Sequence, residues 1–189
     1  MNIEVLQRGE FTMYLGRALC LSDTHEVELH HRMRKAWAKF GILRQELIDK
    51  TIPLHLRLKL FHTVVSPTAL YGSGSWVTTN SREATLKTTQ MKMLRAIFGN
   101  KRLLSSGSRE LETWVDWIKR TTEDVRHLMQ IHKIPEWVGL QRIAMKKWLG
   151  KVEAMNSNRW AKIVLNWHPT GFRSRGRPVI RWVDQAALA

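Results

Sequence analysis

Residues 23–49, DTHEVELHHRMRKAWAKFGILRQELID, decide the fold. Asp23 followed by Glu26 gives a capping-box start, in which side chains reach the backbone N–H groups that the first helical turn leaves unpaired. Beyond it Glu26, Met33, Trp37, Phe40, Leu43 and Leu47 fall mostly at steps of three and four, with Arg34, Lys35, Lys39 and Arg44 elsewhere around the axis. That spacing predicts one long helix over 23–49 and sets a helical texture that persists towards the C terminus.

Working outward, Thr51-Ile52-Pro53 ends this helix and opens another over 53–65, proline being favoured at the first helical position. Its stripe is Leu54, Leu58, Phe61 and Val65, and Ser66-Pro67 kinks or breaks it. Residues 68–80 carry Gly72 and Gly74 among serines, a turn composition in which close helix packing accounts for the glycines. Ser81 caps a predicted helix over 82–98 that stops at Gly99-Asn100. On this helix Leu86, Met93, Leu94, Ile97 and Phe98 share one side, and Lys87, Lys92 and Arg95 an adjoining arc. After a Ser/Gly/Lys/Arg loop, Trp114, Trp117, Ile118, Thr121, Val125 and Leu128 predict a helix over 109–132. Pro135 resets the chain, and Trp137, Leu140, Ile143 or Ala144, Trp148 and Val152 form the inward face of a helix over 136–155, followed by a shorter one over 158–167.

Before residue 23 the texture is β. Ile3-Glu4-Val5-Leu6 and the run from Phe11 to Gly16 flank the turn composition Gln7-Arg8-Gly9-Glu10, and Phe11, Met13 and Leu15 alternate with Thr12 and Tyr14. A lone hairpin is marginal in water, so its apolar face is expected on the helices or on a further domain. The predicted architecture is mainly α: an N-terminal β-hairpin over 1–20, a helical bundle over 21–99, a second, Trp-rich helical group over 100–169 and a basic tail with a short helix over 170–189.

A chain of 189 residues with 43% hydrophobic side chains can bury a core. Its 31 Lys and Arg against 16 Asp and Glu give a net charge of +15, which points to a polyanionic partner. The charge is uneven: residues 1–50 net +1, whereas 51–100, 101–150 and 151–189 net +5, +4 and +5. The single cysteine, Cys20, excludes an internal disulfide or a multi-thiolate zinc knuckle, fits a reducing compartment and reads as a small core residue. With neither a signal-peptide pattern at Met1 nor a membrane-spanning apolar run, an intracellular site, nuclear or cytoplasmic, is expected, with no membrane partner.

Catalytic patterns mostly fall away. The aspartates Asp23, Asp49, Asp116, Asp124 and Asp184 are scattered, whereas a two-metal site needs acids that converge. Glu112, Asp116 and Glu123 share a helix with many cations and read as solvent salt-bridge partners. His25 and His30, like His127 and His132, are five residues apart, which on a helix leaves the imidazoles about 140° apart rather than stacked. Gly72 and Gly74 lack the Lys-Ser/Thr of a phosphate loop. No catalytic residue, cofactor or small-molecule substrate is expected for this chain.

The functional signal is cationic. Arg173, Arg175 and Arg177 alternate before Pro178, and Arg181 adjoins Trp182. Guanidinium groups clamp phosphates and stack on bases, and tryptophan offers a second stacking plate. The competing reading is a solvated linker whose short helix docks Ile180 and Trp182 on the body. Trp76, Trp114, Trp117 and Trp148 read as core.

Five motifs, in order, resemble the C-terminal part of non-LTR (LINE-type) retrotransposon reverse transcriptases. They are Tyr14-Leu15-Gly16; Met33-Arg34-Lys35-Ala36; Val65-Ser66-Pro67-Thr68-Ala69-Leu70-Tyr71-Gly72 with Trp76; Met93-Leu94-Arg95-Ala96-Ile97-Phe98-Gly99; and Gly176-Arg177-Pro178 with Arg181-Trp182-Val183-Asp184. The resemblance covers nearly the whole chain. It implies a thumb-like bundle behind a palm domain, gripping template and primer, with RNA or an RNA–DNA duplex and the palm and fingers as partners. It also implies that the catalytic aspartates, and the magnesium they hold, belong to sequence upstream of the Tyr-Leu-Gly hairpin. Where the family's middle motif carries Glu, this chain has Ser73-Gly74-Ser75, so that acid's role does not transfer.

The residues expected at nucleic acid are Lys87, Lys92, Arg95, Arg173, Arg175, Arg177, Arg181 and Trp182. An all-α protein-interaction module derived from a degenerate mobile element is the alternative, and the missing aspartates weigh against an active polymerase.

Overall fold

The computed structural model describes residues 7, 10–21, 23–104, 111–167 and 181–189, and is mainly helical behind a two-stranded antiparallel hairpin. Strands β1 (Phe11–Tyr14) and β2 (Arg17–Cys20) are joined by Leu15 and Gly16 at φ 48° and 77°. Two positive φ angles in a two-residue loop mark a primed hairpin turn, whose twist matches the strands. Ile3 to Leu6, the expected partner strand, lies outside the described residues; the partner described is β2, which follows β1 in the chain. The predicted turn at 7–10 does carry its closing bond, Glu10 N–H donating to Gln7 O at 3.0 Å. Ala18 and Cys20 are buried beside α1 (Thr24–Ile42), while their cross-strand partners Met13 and Phe11 stay 47% and 43% exposed.

Asp23 caps α1 as its sequence predicts, accepting from Glu26 N–H at 3.1 Å. The helix ends earlier than 49, however. At Leu43 (φ −95°, ψ 14°), two residues past Gly41, the N–H divides between the Lys39 and Gly41 carbonyls, and the chain restarts as α2 (Arg44–Ile48). The buried stripe of α1 is Leu29, Met33, Ala36 and Phe40, which rotates Trp37 out to 40% exposure.

Proline does not end the next segment. α3 (Leu54–Leu60) passes through one π-helical turn (Phe61–Val65) into α4 (Ser66–Ala69). Pro67 has no N–H to give, and the wider turn absorbs the loss: Ser66 N–H bonds back to Phe61 O, and the Thr68 hydroxyl donates to Val64 O at 2.8 Å. α5 (Asn80–Phe98) is capped by Thr79 rather than Ser81, Thr79 Oγ1 accepting from Arg82 N–H, and Gly99 closes it at φ 63°.

α6 (Trp114–Ile131) and α7 (Trp137–Glu153) complete the main core, with α8 (Trp160–Asn166) and α9 (Trp182–Leu188) beyond. One cluster of buried side chains runs from Leu29 to Val138, drawing on both predicted helical groups; a smaller one joins Met145, Leu149 and Ala186. The face of α7 differs from the expected one. Trp137, Val138, Gln141, Met145, Leu149 and Val152 are buried, whereas Ile143 is 64% and Trp148 40% exposed. Polar anchors hold this rotation. Gln90, buried on α5, accepts from Trp137 N–H and donates to Pro135 O, both at 2.9 Å, which satisfies an N–H that the helix start leaves free. The Trp137 indole stacks on Phe61 and donates to Ser66 Oγ at 2.9 Å. Trp114, expected in the core, is 62% exposed and leans on Trp117 with centroids 4.6 Å apart. Among the described residues no helix is long and apolar enough to cross a membrane.

Candidate nucleic-acid interface

Three of the five motif pieces meet around the 3-10 turn Ser73–Ser75, joined there by Arg32, the residue before the Met33 piece. The Tyr71 hydroxyl donates to Leu15 O at 3.2 Å, and Arg32, from the turn of α1 that carries Met33 to Ala36, donates to Gly16 O. The Arg32 guanidinium also lies 4.5 Å from the centre of the Tyr71 ring, a cation–π contact. From the far end of the chain, the Trp182 indole N–H donates to Gly74 O at 2.9 Å, and the Gln185 amide bonds both the N–H and the carbonyl of Thr78. The Met93–Gly99 piece closes α5 elsewhere: Leu94, Ile97 and Phe98 enter the core, and buried Arg57 donates to Ile97 O at 2.7 Å.

Both glycines of the turn are required by their surroundings. Gly72 sits at φ 70° with Arg17 lying across it, and a Cβ on Gly74 would stand 2.8 Å from the Ala144 carbonyl oxygen of α7. The loop therefore seats directly on the α7 backbone.

Glu28, fully buried, sets the local charge. Its carboxylate accepts from Arg32 Nε at 2.7 Å and from Ala18 N–H at 2.6 Å, while Arg17 Nε stands 3.8 Å away, buried and without a hydrogen-bond partner. Two guanidiniums share one carboxylate, which leaves a surplus positive charge at Arg17. Arg17 Nη1 is held by Ser75 Oγ at 2.7 Å.

Arg17 forms one wall of a groove of about 400 Å³ lined by Leu70, the 72–75 turn and one face of α7: Ala144, Lys147, Trp148 and Lys151. Those four residues stand at i, i+3, i+4 and i+7 along the helix and share a stripe. Lys147 and Lys151 are exposed and ion-pair with no described residue. Trp148 also lines a neighbouring hollow of about 470 Å³ shared with Leu165, Arg181 and Trp182. The sequence reading missed this groove because it placed Trp148 in the core and had no signal joining Arg17 to α7; the Lys147, Trp148, Lys151 spacing was the one legible clue.

The residues singled out from sequence are distributed as follows. Lys87 and Lys92 project from α5, exposed, without ion pairs among the described residues. Arg95 is half-buried, tied to Thr122 Oγ1 on α6 at 2.9 Å, and its burial lowers its pKa from the ordinary guanidinium value. Arg181 donates to Trp167 O at 3.1 Å, and Trp182 is docked through its indole N–H. Arg173, Arg175 and Arg177 lie outside the described residues. Among the described residues there is no cluster of three or more His, Cys, Asp or Glu side chains placed to hold a metal.

Compared with known proteins, the chain is similar to an uncharacterized Caenorhabditis elegans protein named as transposon-derived, with 27% identity over 173 residues. The match takes in 91% of this chain but only 57% of that protein. This similarity supports an origin in a mobile element. No family model matches the chain, and no solved structure matches it.

Proposed function

We propose that the chain is a non-catalytic nucleic-acid-binding segment from the C-terminal part of a retrotransposon RNA-directed DNA polymerase, holding template and primer by their phosphates without reading sequence. The observation that carries this reading is the meeting of motif pieces remote in sequence, Leu15-Gly16, Tyr71-Gly72 and Trp182, around a turn flanked by Arg17. The transposon-derived relative supports the same origin. Lys87 and Lys92 on α5 and Lys147 and Lys151 on α7 stand on helices, and cations held on regular elements cost less ordering when they engage a polyphosphate. Phosphate contacts position a duplex and carry no base information.

The test is a filter-binding titration of the whole chain against an RNA–DNA duplex across salt. Tight binding at low salt that weakens steeply as salt rises is expected; flat, negligible binding even at low salt would remove the proposal. One observation favours the second reading, a protein-interaction module. Leu103, Leu104, Leu111, Trp114 and Val115 are all more than half exposed near the start of α6, an apolar surface that a duplex does not use.

A further inference from the structure

We infer that the groove between the 72–75 turn and α7 binds a single-stranded nucleic-acid segment, with Arg17, Lys147 and Lys151 on its phosphates and Trp148 as the plate for an unpaired base. The inference rests on the nucleic-acid reading above and names a site and a ligand form that the reading does not.

Three features select a single strand. The groove gathers three cations: Arg17, whose charge Glu28 only partly neutralises, and two lysines without ion-pair partners among the described residues. Backbone packing fixes its floor, since Gly74 lies so close to the Ala144 carbonyl that the turn and the helix cannot separate without loss of contact. Trp148, 40% exposed, lines the same groove between Lys147 and Lys151. Bases inside a duplex are already stacked on their neighbours, so an exposed indole flanked by cations suits bases that are free to stack. Trp148 also walls the adjoining hollow that holds Arg181 and Trp182, so the surface continues past one nucleotide. That continuity favours a polymer over a mononucleotide.

The experiment uses the whole chain and fluorescein-labelled 12-mers of oligo(U) and oligo(dT), with an RNA–DNA duplex of equal length, read by anisotropy across salt. Variants are Lys147→Gln with Lys151→Gln, Trp148→Ala, Trp148→Phe and, as a charge-matched control, Lys87→Gln with Lys92→Gln; thermal melts confirm folding. The groove double variant should weaken single-strand binding about tenfold or more and make the salt slope shallower by about 1.4, from ~0.7 per lost phosphate contact. It should change duplex binding less than the control does. Trp148→Ala should cost about five- to a hundredfold on the single strand, with Trp148→Phe restoring most of it. Single-strand affinity unchanged in the groove variants, or wild-type binding of duplex but not of single strands, overturns the inference and leaves the proposed function standing. Wild-type binding of neither form overturns both.

Discussion

At Glu28 a fully buried carboxylate serves two arginines and a backbone amide, and none of this shows in a hydrophobic pattern. A periodicity reading of α1 sees Met33 and Phe40 but has no means of placing a charge inside, because buried ions depend on partners from other parts of the chain. Glu28→Gln leaves buried Arg32 and partly exposed Arg17 without their counter-charge and should lower unfolding stability by about 3 kcal/mol in urea titrations. Glycine positions divide by what surrounds them. Gly74→Ala presses a methyl into the Ala144 carbonyl and should destabilise by about 1–3 kcal/mol, whereas Gly139→Ala, in open space on α7, should stabilise by about 0.5 kcal/mol. His25 gives a pH signature. Burial, and then the Arg82 guanidinium, lower its pKa, and its Nδ1 faces the Val77 N–H at 3.5 Å as an acceptor. The folded protein then holds the neutral imidazole while the unfolded chain takes up a proton below about pH 6.5. Stability should therefore be full above that pH and fall as the pH drops towards the folded-state pKa; His25→Gln should shrink that fall, and His31, shifted the same way mainly by burial, should keep part of it.

At the scale of elements, α5 was legible almost in full, since Leu86, Met93, Leu94, Ile97 and Phe98 form a regular stripe and Gly99 supplies the left-handed stop. α7 was not. Met145 and Leu149 compete with Ile143 and Trp148 for the inward side, and buried Gln90 and Gln141 decide between them through Trp137 N–H and Ser73 O. Polar side chains of that kind are read as exposed in any sequence. Pro67 misled in the same way, because a π-turn and two hydroxyls replace the bonds a proline removes. The docking of α9 is the clearest test at this scale. Seven residues do not sustain a helix alone, so α9 depends on Trp182 at Gly74 and Gln185 at Thr78. Gln185→Ala should destabilise by about 1–2 kcal/mol and speed hydrogen exchange at the Thr78 amide and along α9, with little change in α1 or α5.

For the whole molecule, the mainly helical class and the leading hairpin followed from the sequence. The groove did not follow, because its walls come from residues 17, 72–75 and 144–151, which only the packing of α7 on the turn unites. Net charge is where sequence and structure say the same thing: +15 on a chain whose Lys87, Lys92, Lys147 and Lys151 project without ion-pair partners among the described residues. The most direct measurement is therefore the binding constant of the intact chain for an RNA–DNA duplex as a function of salt. The account predicts a straight fall of log K with log salt, with a slope of about −3 or steeper, at ~0.9 per phosphate neutralised on a duplex. Binding that is absent at low salt, or that is indifferent to salt, would contradict it.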